Sequence, residues 1–204
     1  MSESADVERA VAEMRFCEAL LAKSGLNILT ETLRDVSDVT LWEHYPPGDV
    51  FDPESGAQWY YHSHAIGGDG PQGGQAGAPD DEHGHFHCFI RPQGAEGPIH
   101  HLVAVAVDAF GRPTRLFTVN QWVVGDDWLE ASRAVALVKL FDVQLARPSY
   151  LVNRWLTAVI TAHEAKIIDL IFQRDAALAT IGADLAAVLQ DRSLEVLSAC
   201  RVRP

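Results

Sequence analysis

The sequence predicts an α+β protein, a four-stranded antiparallel meander with N-terminal and C-terminal helices packed on it. Three observations carry that expectation. Apolar residues recur at helical spacing in residues 4–36 and again after Asp126. Between residues 57 and 124 the pattern shifts to a period of two, rich in aromatic and β-branched side chains. The links between most of these strand-like runs are short, which favours antiparallel neighbours. All 204 residues are read as one domain: helices over 4–36, a sheet over 57–124 and helices over 126–199.

In chain order, Val7, Val11, Met14, Leu20 and Leu21 mark an amphipathic first helix, broken at Ser24-Gly25. Leu26, Leu29 and Leu33 predict a shorter second helix. Leu41–Asp52 reads as an ordered loop or turn, because its two prolines and a glycine favour turns. Gln58–Ala65 is the first strand, with Gln58, Tyr60, His62 and His64 on one face and Trp59, Tyr61 and Ser63 on the other. Residues 67–79 are rich in glycine and proline, cannot bury enough apolar area to offset their ordering entropy, and are expected to form a mobile loop.

The second strand holds Glu82-His83-Gly84-His85-Phe86-His87-Cys88-Phe89-Ile90-Arg91. Period two sets His83, His85 and His87 against Phe86, Cys88 and Ile90. His101–Asp108 and Thr114–Val124 supply the third and fourth strands. Asp127 with Glu130 resembles a capping box that opens a helix to about Leu145. Pro148 suits the first turn of a long helix to about Thr180, and Gly182 separates a last helix carrying Leu185, Val188 and Val196.

Composition excludes several classes of function. The formal net charge of −12, with no run of Lys or Arg, opposes broad attraction to nucleic acid or an anionic membrane. No apolar run reaches the length of a membrane span, and the N-terminus lacks the pattern of a secretory signal. Three scattered cysteines without CxxC spacing fit a reducing compartment and no thiolate metal site. The expected location is the cytoplasm.

The histidines carry the chemistry. Six of the nine lie on or beside predicted strands: His62, His64, His83, His85, His87 and His101. Two histidines one residue apart on a strand point to the same side. On paired strands such imidazoles lie close enough to share one ion. Expected ligands for iron, copper or zinc are His62, His64, His85 and His87, followed by His83, His101 and Glu82. His163 lies on the apolar stripe of the long helix, the place of a packed core histidine. A helix crossing the histidine face would let it complete the site. Tyr60, Arg91 and Arg115 are candidates to orient a small-molecule substrate.

Two resemblances arise from these residues. His83-Gly-His-Phe-His-Cys-Phe resembles the motif of the histidine triad nucleotide hydrolases and transferases, although Gly84 stands where that family has a hydrophobic residue. The resemblance implies His85 as the nucleophile on an α-phosphate, assisted by His83 and His87. The set Trp42-Glu-His-Tyr-Pro, Gly48-Asp49, Tyr60-Tyr-His62, Glu82-His-Gly-His-Phe-His87 and Arg115-Leu-Phe-Thr resembles an uncharacterised bacterial family without assigned activity.

The leading expectation is a metal-dependent enzyme, with redox or oxygenase chemistry placed before hydrolysis and His85, Tyr60 and Arg91 in catalytic roles. Three alternatives stand beside it: haem on the same face, a histidine-triad-like nucleotidyl transferase, and a non-catalytic sensor. The apolar helix faces leave room for a homodimer.

Overall fold

A computed structural model describes residues 3–40, 43–63, 82–182 and 184–202. His64 and the glycine-rich segment 67–79 lie outside these residues, as do the expectations placed on them.

Six strands, not four, form one antiparallel meander in the order β1-β2-β3-β4-β5-β6. They are β1 His44–Phe51, β2 Ala57–Ser63, β3 Gly84–Ile90, β4 His100–Val107, β5 Pro113–Val119 and β6 Val196–Arg201. The helices are α1 Glu3–Ala22, α2 Ile28–Thr32, α3 Gln121–Val124, α4 Ala131–Ala134, α5 Tyr150–Ala162, α6 Glu164–Ile181 and α7 Leu185–Leu189. A 3-10 helix, Val135–Leu140, follows α4.

Both added strands lie at the sheet's edges. β1 contains Pro46 and Pro47, residues that lack an amide donor and so suit an edge strand paired on one side only. The residues between Tyr45 and Val50 are offset from the ladder to β2. β6 falls within the segment expected to be the last helix, which is reduced to the five residues of α7. Its pairing with β5 is reinforced by a 2.7 Å hydroxyl contact between Thr118 and Ser198.

Two further helical expectations are corrected. The segment after Asp126 forms only α4 and the 3-10 helix. Asp127, expected to cap it with Glu130, instead accepts from the Ile99 amide, and the Glu130 side chain makes no capping hydrogen bond; the neighbouring Asp126 accepts from the His101 amide at the start of β4. The expected long helix over 148–180 is two helices, parted where the His163 backbone leaves helical values, at φ −114° and ψ 16°.

One face of the sheet and the helices form a continuous apolar core. Trp59, Tyr61, Phe86, Cys88, Ile90, Val103, Val105, Val107 and Leu116 pack with Cys17 and Leu21 of α1. Val152, Trp155 and Val159 of α5 and Ile167, Leu170 and Ile171 of α6 complete that core. Its polar atoms are paired: the Trp59 indole donates to Asn153 at 3.0 Å, and that of Trp155 to Glu18 at 2.9 Å. Burial of these side chains, at roughly 1.5–3 kcal/mol each, anchors the sheet and leaves its second face to other residues.

Candidate metal centre

The second face carries the histidines. Register places His62 of β2 opposite His85 of β3, and Tyr60 opposite His87. On the far side of β3, His85 faces Ala106 and His87 faces Ala104. The small alanines, with Phe117 and Val119 of β5, make a separate apolar cluster beside the imidazoles.

His85 and His87 are 1% and 2% exposed. Their Nε2 atoms lie 2.8 Å apart, with the rings nearly perpendicular. The His62 ring meets that of His85 edge to face at 5.5 Å. His62, His85 and His87 each offer a ring nitrogen, and the three nitrogens lie within 4.8 Å of one another. This group could hold a metal ion.

His101 joins from β4 through an irregularity. Counting by twos from the valines of β4 puts His101 on the helix-covered face with Val103, Val105 and Val107. Between Cys88 and Phe89 the register shifts, so Cys88 pairs with Val103 but Phe89 with His101. Leu102 is the extra residue of a β-bulge, a device that re-aims neighbouring side chains. Leu102 packs into the helix-side core, and His101 arrives on the histidine face with its Nε2 3.1 Å from Nδ1 of His87.

The electrostatics follow from burial. Desolvation holds His87 well below the ordinary imidazole pKa, helped by His85, His101, His62 and His44. It lowers His101 to about 3, with the Arg174 guanidinium acting in the same direction. Both rings are therefore neutral at pH 7, the form with a lone pair for an ion or a hydrogen bond. Burial raises the pKa of the Asp126 carboxyl and of the Tyr60 phenol.

Other sequence candidates occupy different positions. Glu82 forms a bidentate pair with Arg115, at 2.7 and 2.9 Å, and its side chain has no exposure. Its oxygens are thus engaged by a guanidinium that also lies 4.3 Å above the Phe117 ring. His83 precedes the first residue of β3 and escapes the strand alternation. Its Nδ1 meets the Tyr61 hydroxyl at 2.7 Å, over Gly84. A Cβ on Gly84 would lie 2.2 Å from that oxygen, so the glycine makes this contact possible.

Tyr60 stacks on His44 at 3.6 Å and tilts toward His87 at 5.1 Å, forming one wall. Arg91 bonds to Gln58 and to the Gly97 carbonyl. His163 lines a separate cleft with Asp6, Lys139 and Lys166, and burial lowers it to about 4. His100 is buried, with its ring nitrogen 2.5 Å from the Asp127 carbonyl. Arg115, noted in the sequence as a substrate-orienting candidate, is the partner of Glu82. The register shift that brings in His101 leaves no mark in hydrophobic periodicity.

Residues 8–202 match the family model described as a domain of unknown function (DUF6969), and the chain belongs to that family. No curated protein and no solved structure matches it.

Proposed function

We propose that this member of the DUF6969 family is a metal-dependent enzyme in which His62, His85 and His87 hold one transition-metal ion. The observation that carries the reading is the 2.8 Å approach of two buried Nε2 atoms, with a nitrogen of His62 within 4.8 Å. Three imidazoles on one buried face otherwise incur a desolvation cost, which coordination offsets.

The donor set narrows the ion. With Glu82 paired to Arg115, the three nitrogens suit iron, copper or zinc better than magnesium or calcium, which prefer oxygen. An all-imidazole donor set suits iron and copper as well as zinc, and on that ground redox or oxygenase chemistry is placed before hydrolysis. When bound, such an ion supplies a Lewis acid and an oxygen-activating centre.

The protein's own groups have distinct roles in this reading. His62, less buried than its two partners, marks the side from which a small molecule reaches the ion. Tyr60 and Phe89, 5.6 Å apart and both beside His87, form an apolar wall that excludes water. The mutual approach of His85 and His87 supports an ion more than a haem, which needs an imidazole standing clear of its neighbours. With His83 turned to Tyr61, two of the three motif histidines share a face, so the triad-type phosphoryl transfer lacks its third participant there.

The test is elemental analysis and an absorption spectrum of protein purified without a histidine tag, beside a His85→Ala/His87→Ala variant. About one equivalent of iron, copper or zinc, lost in the variant, is expected. Protein that holds no metal and takes none up on addition overturns the reading.

A further inference from the structure

We infer that His101 is a positioning residue that fixes the tautomer of His87, so that His87 presents a bare Nε2 to the metal. This rests on the metal reading above and adds a specific proton arrangement to it.

His87 has two ring nitrogens and each faces a different neighbour. Nε2 lies 2.8 Å from Nε2 of His85, and Nδ1 lies 3.1 Å from Nε2 of His101. Only Nε2 is directed at the group that could share an ion, so Nε2 is the ligand atom. A neutral imidazole carries one proton, which must then sit on Nδ1. The acceptor for Nδ1–H is Nε2 of His101, and that atom can accept only if the His101 proton is on its own Nδ1. One geometry thus assigns both tautomers. A hydrogen bond of this kind orients a ligating ring and raises its basicity.

The backbone is built to deliver this contact. Without the Leu102 bulge His101 would lie on the opposite face of β4. The position is then fixed by the buried Asp126 carboxylate, whose Oδ2 accepts from the His101 amide at 2.9 Å. The Phe89 ring, 5.1 Å from that of His101 and set edge to face, closes the other side. His101 is itself excluded as a ligand to the same ion, because its Nε2 is on the far side of the His87 ring from His85.

Two experiments test this with the full chain. In 15N-histidine-labelled, zinc-loaded wild type, long-range 15N–1H correlation spectra are expected to show His87 coordinated through Nε2 and protonated at Nδ1, and His101 protonated at Nδ1. Coordination of His87 through Nδ1, or a proton on Nε2 of His101, overturns the proposal. Competition of chelator for Co(II) gives the second readout. His101→Leu is expected to weaken Co(II) binding by about 10–100-fold and to shift its visible absorption. His101→Gln, whose side-chain carbonyl can accept the same hydrogen bond, is expected to recover most of both.

A folded Leu variant that binds as tightly as wild type, or a Gln variant as weak as Leu, overturns the role of His101 and leaves the metal site standing. Should the Leu variant fail to fold, the tautomer spectra and the Gln variant decide. Wild-type protein that takes up neither zinc nor cobalt removes both the metal reading and this proposal.

Discussion

The two faces of the central sheet use the same backbone for opposite ends. On the face covered by helices, Trp59, Tyr61, Phe86, Cys88 and Ile90 pack into a core where nearly every side chain is apolar. On the other, Tyr60, His62, His85, His87 and Phe89 alternate with them residue by residue and bring in polar nitrogens, with the rings of His85 and His87 equally buried and that of His62 less so. The first face gains free energy from removing carbon from water. The second gives some of it up to bury imidazoles, and recovers it only where those nitrogens find a partner. Stability and chemistry are thus separated by the direction of a side chain.

Changes on each face should therefore behave differently. The largest loss of stability is expected from Trp59→Ala on the helix-covered face, about 3–5 kcal/mol in denaturant unfolding, with or without metal. Arg115→Met should cost a comparable amount, about 3–5 kcal/mol, because it leaves the Glu82 carboxylate buried without its guanidinium. If Arg115→Met proves neutral, the idea that this pair keeps a carboxylate away from the histidines fails with it.

Acid should act next, and through the histidine face. The folded-state pKa of His101, about 3, lies below the ordinary imidazole value of 6.5. The unfolded chain then takes up the proton first, so stability is intact above about pH 6.5 and declines as pH falls toward 3. His87 shifts in the same direction and adds to the loss. Metal-free protein titrated from pH 7 to 4 should lose a few kcal/mol of unfolding free energy. His101→Gln should flatten that slope. An unchanged slope in the variant would assign the acid sensitivity elsewhere.

Gly84→Ala should cost about 3 kcal/mol by crowding, since its added methyl meets the backbone carbonyl of His62 as well as the Tyr61 hydroxyl and the strand pairing must shift. His87→Leu, with an apolar side chain of similar volume, should cost about 1–3 kcal/mol in metal-free protein, because it removes His87 as the partner of buried ring nitrogens of His85 and His101. The same variant should abolish metal uptake. That pairing, a modest loss of stability beside a complete loss of binding, most sharply separates the two faces.

The division between faces was largely legible in the sequence. Period two in Gln58–Ser63 and Gly84–Ile90 separates Trp59 and Tyr61 from Tyr60 and His62, and Phe86 and Cys88 from His85 and His87, as the register has them. The α+β class was readable for the same reason, since periods of 2 and 3.6 are local properties. What escaped was set by partners distant in the chain. β1 was masked by prolines that are tolerated because it is an edge. β6 was masked by leucine and alanine spacing that fits a helix as well as a strand. His83 leaves the histidine face because β3 begins one residue later. Glu82 is claimed by an arginine thirty-three positions away. None of these can be inferred from residues within one turn or one strand.

The bulge at Leu102 also makes β4 unequal in its response to changes of length. Deleting Leu102, or Val103 with Leu102 moving into its place opposite Cys88, still leaves His101 opposite Phe89, because the strand already carries one residue more than its partner. The deletion straightens the strand, removes one side chain from the helix-side core and preserves the outlook of the histidine. Adding a residue at the same point offers no such reserve, since it must either enlarge the bulge or turn His101 over. Shortened relatives at this point can keep the arrangement of imidazoles, while lengthened ones must rebuild it.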